Sequence, residues 1–129
     1  MDPKQMNSIE LAFLGDAVYE EFVRERLVRR GFSGGHADRL HREAVRYVKA
    51  EAQAAIVKAL MEQLSEEEQH VVTRARNHKI ATKAKNASAT DYKWATGFEA
   101  LIGYLKLNCD EDRLLEIMEM AVNFIADQN

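Results

Sequence analysis

The chain has 129 residues, 47% of them apolar and 30% charged, with a formal net charge of −3. That length and apolar content suit one domain with a single core, over residues 1–129, and the acidic balance excludes a general polycation, so any nucleic-acid affinity has to come from a local basic patch. The lone Cys109 cannot form an internal disulfide, which fits a reducing compartment such as the cytoplasm; the N-terminus lacks signal-peptide order, and no stretch approaches the ~18 apolar residues of a membrane span.

Asn7 or Ser8 is placed to cap a first helix that runs to about Arg30. Leu11, Leu14 and Val18 recur at i, i+3 and i+7, and Phe13 and Ala17 widen the apolar face. Two residues break this pattern. Asp16 puts a carboxylate into the most apolar run of the chain, and Gly15 precedes it, although glycine in a helix interior costs about 1 kcal/mol relative to alanine. Either the helix needs close backbone approach and an acid at this point, or a partly exposed aspartate happens to flank a packing glycine. Arg24, Arg26, Arg29 and Arg30 in the second half suit the negative end of the helix dipole.

Gly31 ends the helix, and Ser33-Gly34-Gly35 is a loop signal. A second helix starts at about His36, with Leu40, Ala44, Val45 and Val48 as its apolar stripe and Arg39, Arg42, Arg46 and Lys49 opposite. The alanine-rich segment Ala50–Leu64 is a strong helix former with Ile56, Leu60 and Leu64 in register; it either continues the second helix or kinks away from it. Ser65-Glu66-Glu67-Glu68 is a capping box for the next helix, whose Val71 and Val72 point inward. That helix runs into Arg74–Ser88, where apolar periodicity fades near Asn77. Arg74, Arg76, Lys79, Lys83 and Lys85 fall here, and no acid occurs between Gln69 and Thr90. A helix from Thr90 or Asp91 to about Leu107 follows. Asp110 then caps a last amphipathic helix with Leu114, Ile117, Met118, Ala121 and Ile125 inward. With no strand signal and no repeat, the expectation is an all-α fold of five to seven helices.

The helix after Thr90 repeats the anomaly of the first. Glu99 lies inside the apolar run TGFEALIGYL, and Gly103 sits one turn further along the same face. Two helix carboxylates, each with a glycine nearby, predict that the two helices cross closely and share a site. Close carboxylates repel, so a proton or a cation must stabilise them. Hard oxygen ligands suit Mg²⁺, which is commonly held by one or two carboxylates plus a substrate phosphate.

These residues resemble the catalytic domain of ribonuclease III. The family signature Glu-Arg-Leu-Glu-Phe-Leu-Gly-Asp falls on Ile9–Asp16 and matches Leu11, Phe13, Leu14, Gly15 and Asp16. The second motif, an aspartate, two residues, then Glu-Ala-Leu-Ile-Gly, falls on Thr96–Gly103 and matches Glu99 through Gly103. The resemblance covers essentially the whole chain. Two departures stand out: Ala12 replaces the second glutamate of the signature, and Thr96 replaces the aspartate of the second motif. Half of the usual four-acid set is therefore absent. With a chain that stops short of a double-stranded-RNA-binding domain, these departures resemble the Mini-III branch, whose members are bacterial homodimeric ribonucleases that cut double-stranded RNA and mature large-subunit ribosomal RNA.

The resemblance implies a ribonuclease III endonuclease-like helical fold and Mg²⁺-assisted phosphodiester hydrolysis at Asp16 and Glu99, giving 5′-phosphate products. Glu20, one turn beyond Asp16, either supports that pair or is a solvated helix residue. Arg74, Arg76, Lys79, Lys83 and Lys85 would contact the backbone of duplex RNA, the expected partner being precursor 23S ribosomal RNA. Phe13 matches the family position that inserts into a partner subunit. Two other readings compete: a non-catalytic double-stranded-RNA-binding module that kept the fold, and a helical scaffold protein. The scaffold reading leaves the paired carboxylates and the acid-free basic segment unexplained.

Overall fold

The protein is all-helical. The computed structural model describes residues 2–31, 34–78 and 88–128, and among these there is no strand. Six α-helices follow in order: α1 (Ser8–Arg29), α2 (Ala37–Val48), α3 (Ala50–Leu60), α4 (Glu66–Arg76), α5 (Ala89–Leu107) and α6 (Glu111–Ala126). Short 3₁₀ turns at Pro3–Gln5 and Met61–Gln63 precede α1 and follow α3.

Local chemistry explains the boundaries. The Asn7 side chain accepts from Ile9 N at 2.7 Å and opens α1, and Gly31 closes it at φ +63°, a conformation glycine adopts without a Cβ penalty. The second and third helices are separate. Lys49 leaves the helical region (ψ 154°), so one residue serves as the end of α2 and the cap of α3. The capping box forms as the sequence predicts: Ser65 Oγ accepts from Glu68 N at 3.1 Å, and the Glu68 carboxylate accepts from Ser65 N at 2.8 Å. Glu68 also receives a two-pronged bond from Arg113 of α6 (2.8 and 2.9 Å), which ties α6 to the start of α4 and holds the Glu68 carboxyl below its ordinary pKa. Ser88 caps α5 by accepting from Asp91 N, so the helix opens at Ala89, one residue before the expected start at Thr90.

Helix α5 is the centre of the molecule. Its residues from Ala95 to Leu105 are buried except Glu99, and it packs most extensively on α1, then on α3 and α4. The face that α1 gives to this core is Leu11, Ala12, Gly15, Tyr19, Val23 and Leu27. The expected stripe was one position out of phase: Leu14 and Val18 are half-buried, Ala17 is exposed and Phe13 is 84% exposed. The reason is Gly15. A Cβ there would fall on the backbone carbonyl of Glu99, and a Cβ on Gly103 would fall on the carbonyl of Leu11. The two glycines therefore let α1 and α5 touch backbone to backbone, and that contact sets the rotation of α1 and leaves Leu14 and Val18 at its margin. Gly97 serves a similar purpose against α4, where a Cβ would stand 2.9 Å from Val72 O. On α2, Ala44 is buried, but Tyr47 takes the inner place expected of Val45, which is exposed. Every α6 residue expected inside is buried.

Candidate active site

The crossing of α1 and α5 puts Asp16 and Glu99 together. Gly15 lies against the Glu99 backbone, so the residue after Gly15 arrives beside the Glu99 side chain. Asp16 is on the exposed side of α1 and Glu99 is half-buried at the seam. The Glu99 carboxyl is pushed up to about 8, first by burial, then by the negative charge of Asp16 and a hydrogen bond between the two carboxyl groups. The negative charge of Glu20 adds to the same shift, although its carboxylate also lies 3.8 Å from Arg24 Nη2. A carboxyl held this far up takes either a proton or a cation.

The donor set fits a hard cation. Two carboxylates with an open side on α1 provide anionic oxygens. Gln53 of α3 is buried against Glu99, its amide favouring the charged carboxylate, and its Oε1 has no hydrogen-bond partner. Among the described residues, no three His, Cys, Asp or Glu side chains gather as a metal site, so the acids contribute a pair and not a cluster. Asp16 and Glu99 are the residues that would hold Mg²⁺.

The Ribonuclease III domain family matches residues 9–110. Curated relatives include the Mini-ribonuclease 3 of Symbiobacterium thermophilum, 49% identical over 96% of this chain and 94% of its own, and that of Brevibacillus brevis, 46% identical over 99% and 94%. A crystal structure of a protein from Fusobacterium nucleatum superposes with a TM-score of 0.83 at 30% identity, covering 92% of this chain and 93% of the other. The chain belongs to the ribonuclease III family, in its Mini-III branch.

Within this Mini-III chain, the positions where the family pattern has further acids are closed. Ala12 is buried in the core, and Thr96, 6% exposed, donates from Oγ1 to Tyr92 O at 2.9 Å, a bond internal to α5. At these two positions the helices offer no additional charge to the site.

The basic residues divide. Arg74 turns inward: Nη2 donates to Met6 O at 2.8 Å and Nε is buried without a partner, so this guanidinium anchors the chain N-terminal to α1. Arg76 stacks over Trp94 at 4.6 Å from the ring centre, and Lys58 of α3 approaches the same ring at 5.6 Å. Two cations thus flank one indole at the start of α5. Lys79, Lys83 and Lys85 lie outside the described residues. Of the arginines earlier in the chain, Arg46 pairs with Glu43 at 2.7 Å and Arg26 packs over Phe22.

Sequence reasoning missed Gln53 and Lys58. Gln53 carried a usable signal: it stands three residues before Ile56 and seven before Leu60, on the core stripe of α3. Lys58 carried none, because its neighbour Trp94 is 36 residues away.

Proposed function

We propose that this ribonuclease III-type endoribonuclease cuts double-stranded RNA by Mg²⁺-assisted phosphodiester hydrolysis at Asp16 and Glu99, and that it acts in the cytoplasm on precursor large-subunit (23S) ribosomal RNA. The observation that carries the reading is the meeting of Asp16 and Glu99 at a glycine-to-glycine helix crossing, with the Glu99 carboxyl held up by burial and then by the charge of its neighbour. Mg²⁺ bound there would supply a water of lowered pKa and polarise the phosphoryl oxygen. The chain's own residues do the rest. The α1–α5 contact fixes the separation of the two carboxylates. Asp16, on the exposed side, meets the incoming phosphate. Arg76 and Lys58 offer positive charge beside the start of α5, and Lys79, Lys83 and Lys85 complete the basic segment that feeds it. In-line attack on phosphorus would leave the 5′-phosphate on one product and the 3′-hydroxyl on the other. A homodimer would set two such sites against the two strands of one duplex, with Phe13 in the interface.

The test is cleavage of an end-labelled duplex RNA by wild type, Asp16→Asn and Glu99→Gln, with Mg²⁺ and with chelator. Cleavage by wild type in Mg²⁺, and by none of the other combinations, supports the reading. Cleavage by either variant at the wild-type rate overturns the site. The alternative, a duplex-RNA-binding module without activity, is motivated by the non-acidic Ala12 and Thr96. Tight duplex binding with no cleavage under any condition would favour it.

A further inference from the structure

Arg26 over Phe22 and Arg46 over Tyr47 each set one cation on a ring of the same helix, and Arg46 also pairs with Glu43. Trp94 is different. It draws Lys58 from α3, at 5.6 Å, and Arg76 from α4, at 4.6 Å, onto one ring of α5. The residues beside these three in sequence, Val57, Ala75 and Ala95, are buried, so the core fixes the base of each side chain. Lys58 is exposed, and Arg76 and Trp94 are half-buried.

Two like charges on one indole repel each other. Among the described residues neither cation pairs with an acid to offset this, although Lys4, Arg24, Arg29, Arg46 and Arg113 each pair with a glutamate. Covering the ring needs one long side chain, not two. Arg76 Nε donates to Asn77 Oδ1 at 3.2 Å, and its Nη groups have no partner among the described residues. A guanidinium stacked by its face and tied at Nε presents its outer N–H edge, the geometry that takes a phosphate through two bonds. Two unpaired cations on a fixed ring therefore make a site for an anion. Trp94 stands five residues before Glu99, about 7.5 Å along the axis of α5. That anion is then a second phosphate of the duplex, not the one at the carboxylates.

We propose that Lys58, Trp94 and Arg76 form a phosphate clamp for duplex RNA, with Trp94 as the positioning residue that fixes both cations before the RNA arrives. This rests on the duplex-RNA reading given above and adds to it the side chain that organises the charge. A long side chain already held in place has little rotamer freedom left to lose on binding. The indole thus raises affinity without contributing a charge of its own.

The experiment measures duplex-RNA affinity in chelator at several salt concentrations, beside thermal melting, for the full chain carrying Glu99→Gln. Replacing Lys58 and Arg76 together by glutamine should lower the log–log salt slope by about two. Trp94→Leu keeps both charges, so the slope should hold while affinity falls about tenfold, the effect of ordering two freed side chains. Trp94→Phe keeps a ring face and should restore affinity to within about threefold of the parent. Added to the glutamine pair, Trp94→Leu should cost nothing further, because no cation is left to place. A tryptophan that only supports the fold would lose the same factor in both backgrounds, and that result overturns the clamp. Parent affinity in Trp94→Leu overturns it too. If the leucine variant fails to fold, the glutamine pair decides, and an unchanged slope overturns the clamp. A parent chain that binds no duplex RNA would overturn the duplex-RNA reading instead, and the clamp with it.

Discussion

At the scale of single residues the site is two carboxylates, one of them half-buried at the helix seam and both set by being adjacent. Removing one charge should remove cleavage: Asp16→Asn and Glu99→Gln are each expected to lower the single-turnover rate on duplex RNA by at least about a hundredfold, the upper end of what loss of an outer-shell partner costs, with circular dichroism unchanged. Glu99 also makes the metal-free protein sensitive to pH. Its folded-state pKa is about 8, above the ordinary glutamate value, so between the two values the folded chain holds a proton that the unfolded chain has lost. Stability then falls as pH rises through that window; below the ordinary value both states are protonated and no penalty exists. The expected outcome in chelator is that Glu99→Gln and wild type melt alike at pH 4, and that wild type melts progressively earlier than the variant up to about pH 8. Parallel melting curves across the window would mean that Glu99 ionises normally.

At the scale of elements the crossing of α1 and α5 controls the distance between those carboxylates. A methyl group at Gly15 would meet backbone, the Glu99 carbonyl and Gly103 N at 2.9 Å, and backbone inside two packed helices cannot swing aside as a flexible side chain can. Gly15→Ala should therefore cost about 3 kcal/mol, the upper range for overpacking, and should weaken Mn²⁺ binding, because α1 must retreat and take Asp16 with it. Denaturant unfolding measures the first effect and metal titration the second. An alanine variant with wild-type stability would mean that the helices cross further apart. The start of α5 makes a second element-level case. Arg76 of α4 and Lys58 of α3 converge on Trp94, and cations offered to a phosphate backbone release counterions on binding. Replacing both by glutamine should flatten the log–log dependence of duplex-RNA affinity on salt by about two, measured in the Glu99→Gln background. An unchanged slope would assign the pair to holding Trp94 alone.

At the scale of the whole molecule the exposed face of α1 matters most. Phe13 is 84% exposed, and Ile9 and Ala17, one turn to either side, are exposed as well. This apolar line runs beside Asp16 and motivates the homodimer: sedimentation should give a dimer at micromolar concentration, and Phe13→Asp should shift it to monomer and lower cleavage, whereas a monomeric, fully active wild type would refute the arrangement. The sequence by itself determined the all-helical class, the Asn7 cap and the Ser65–Glu68 capping box, the two acids and the glycines that accompany them. These follow from local spacing and from residue types that are costly where they stand: a glycine and a charge inside an apolar helix have to be justified by a neighbour. It could also indicate that Asp16 and Glu99 meet, because each came with a glycine. Only the tertiary structure decided which side of α1 faces inward, since backbone contact at Gly15 outweighs the pull of Leu14 and Val18. It likewise turned Arg74 to the interior, set Lys58 on Trp94 and brought Gln53 to Glu99. Those outcomes depend on packing between segments far apart in the chain, and no local pattern encodes which long side chain will reach which neighbour.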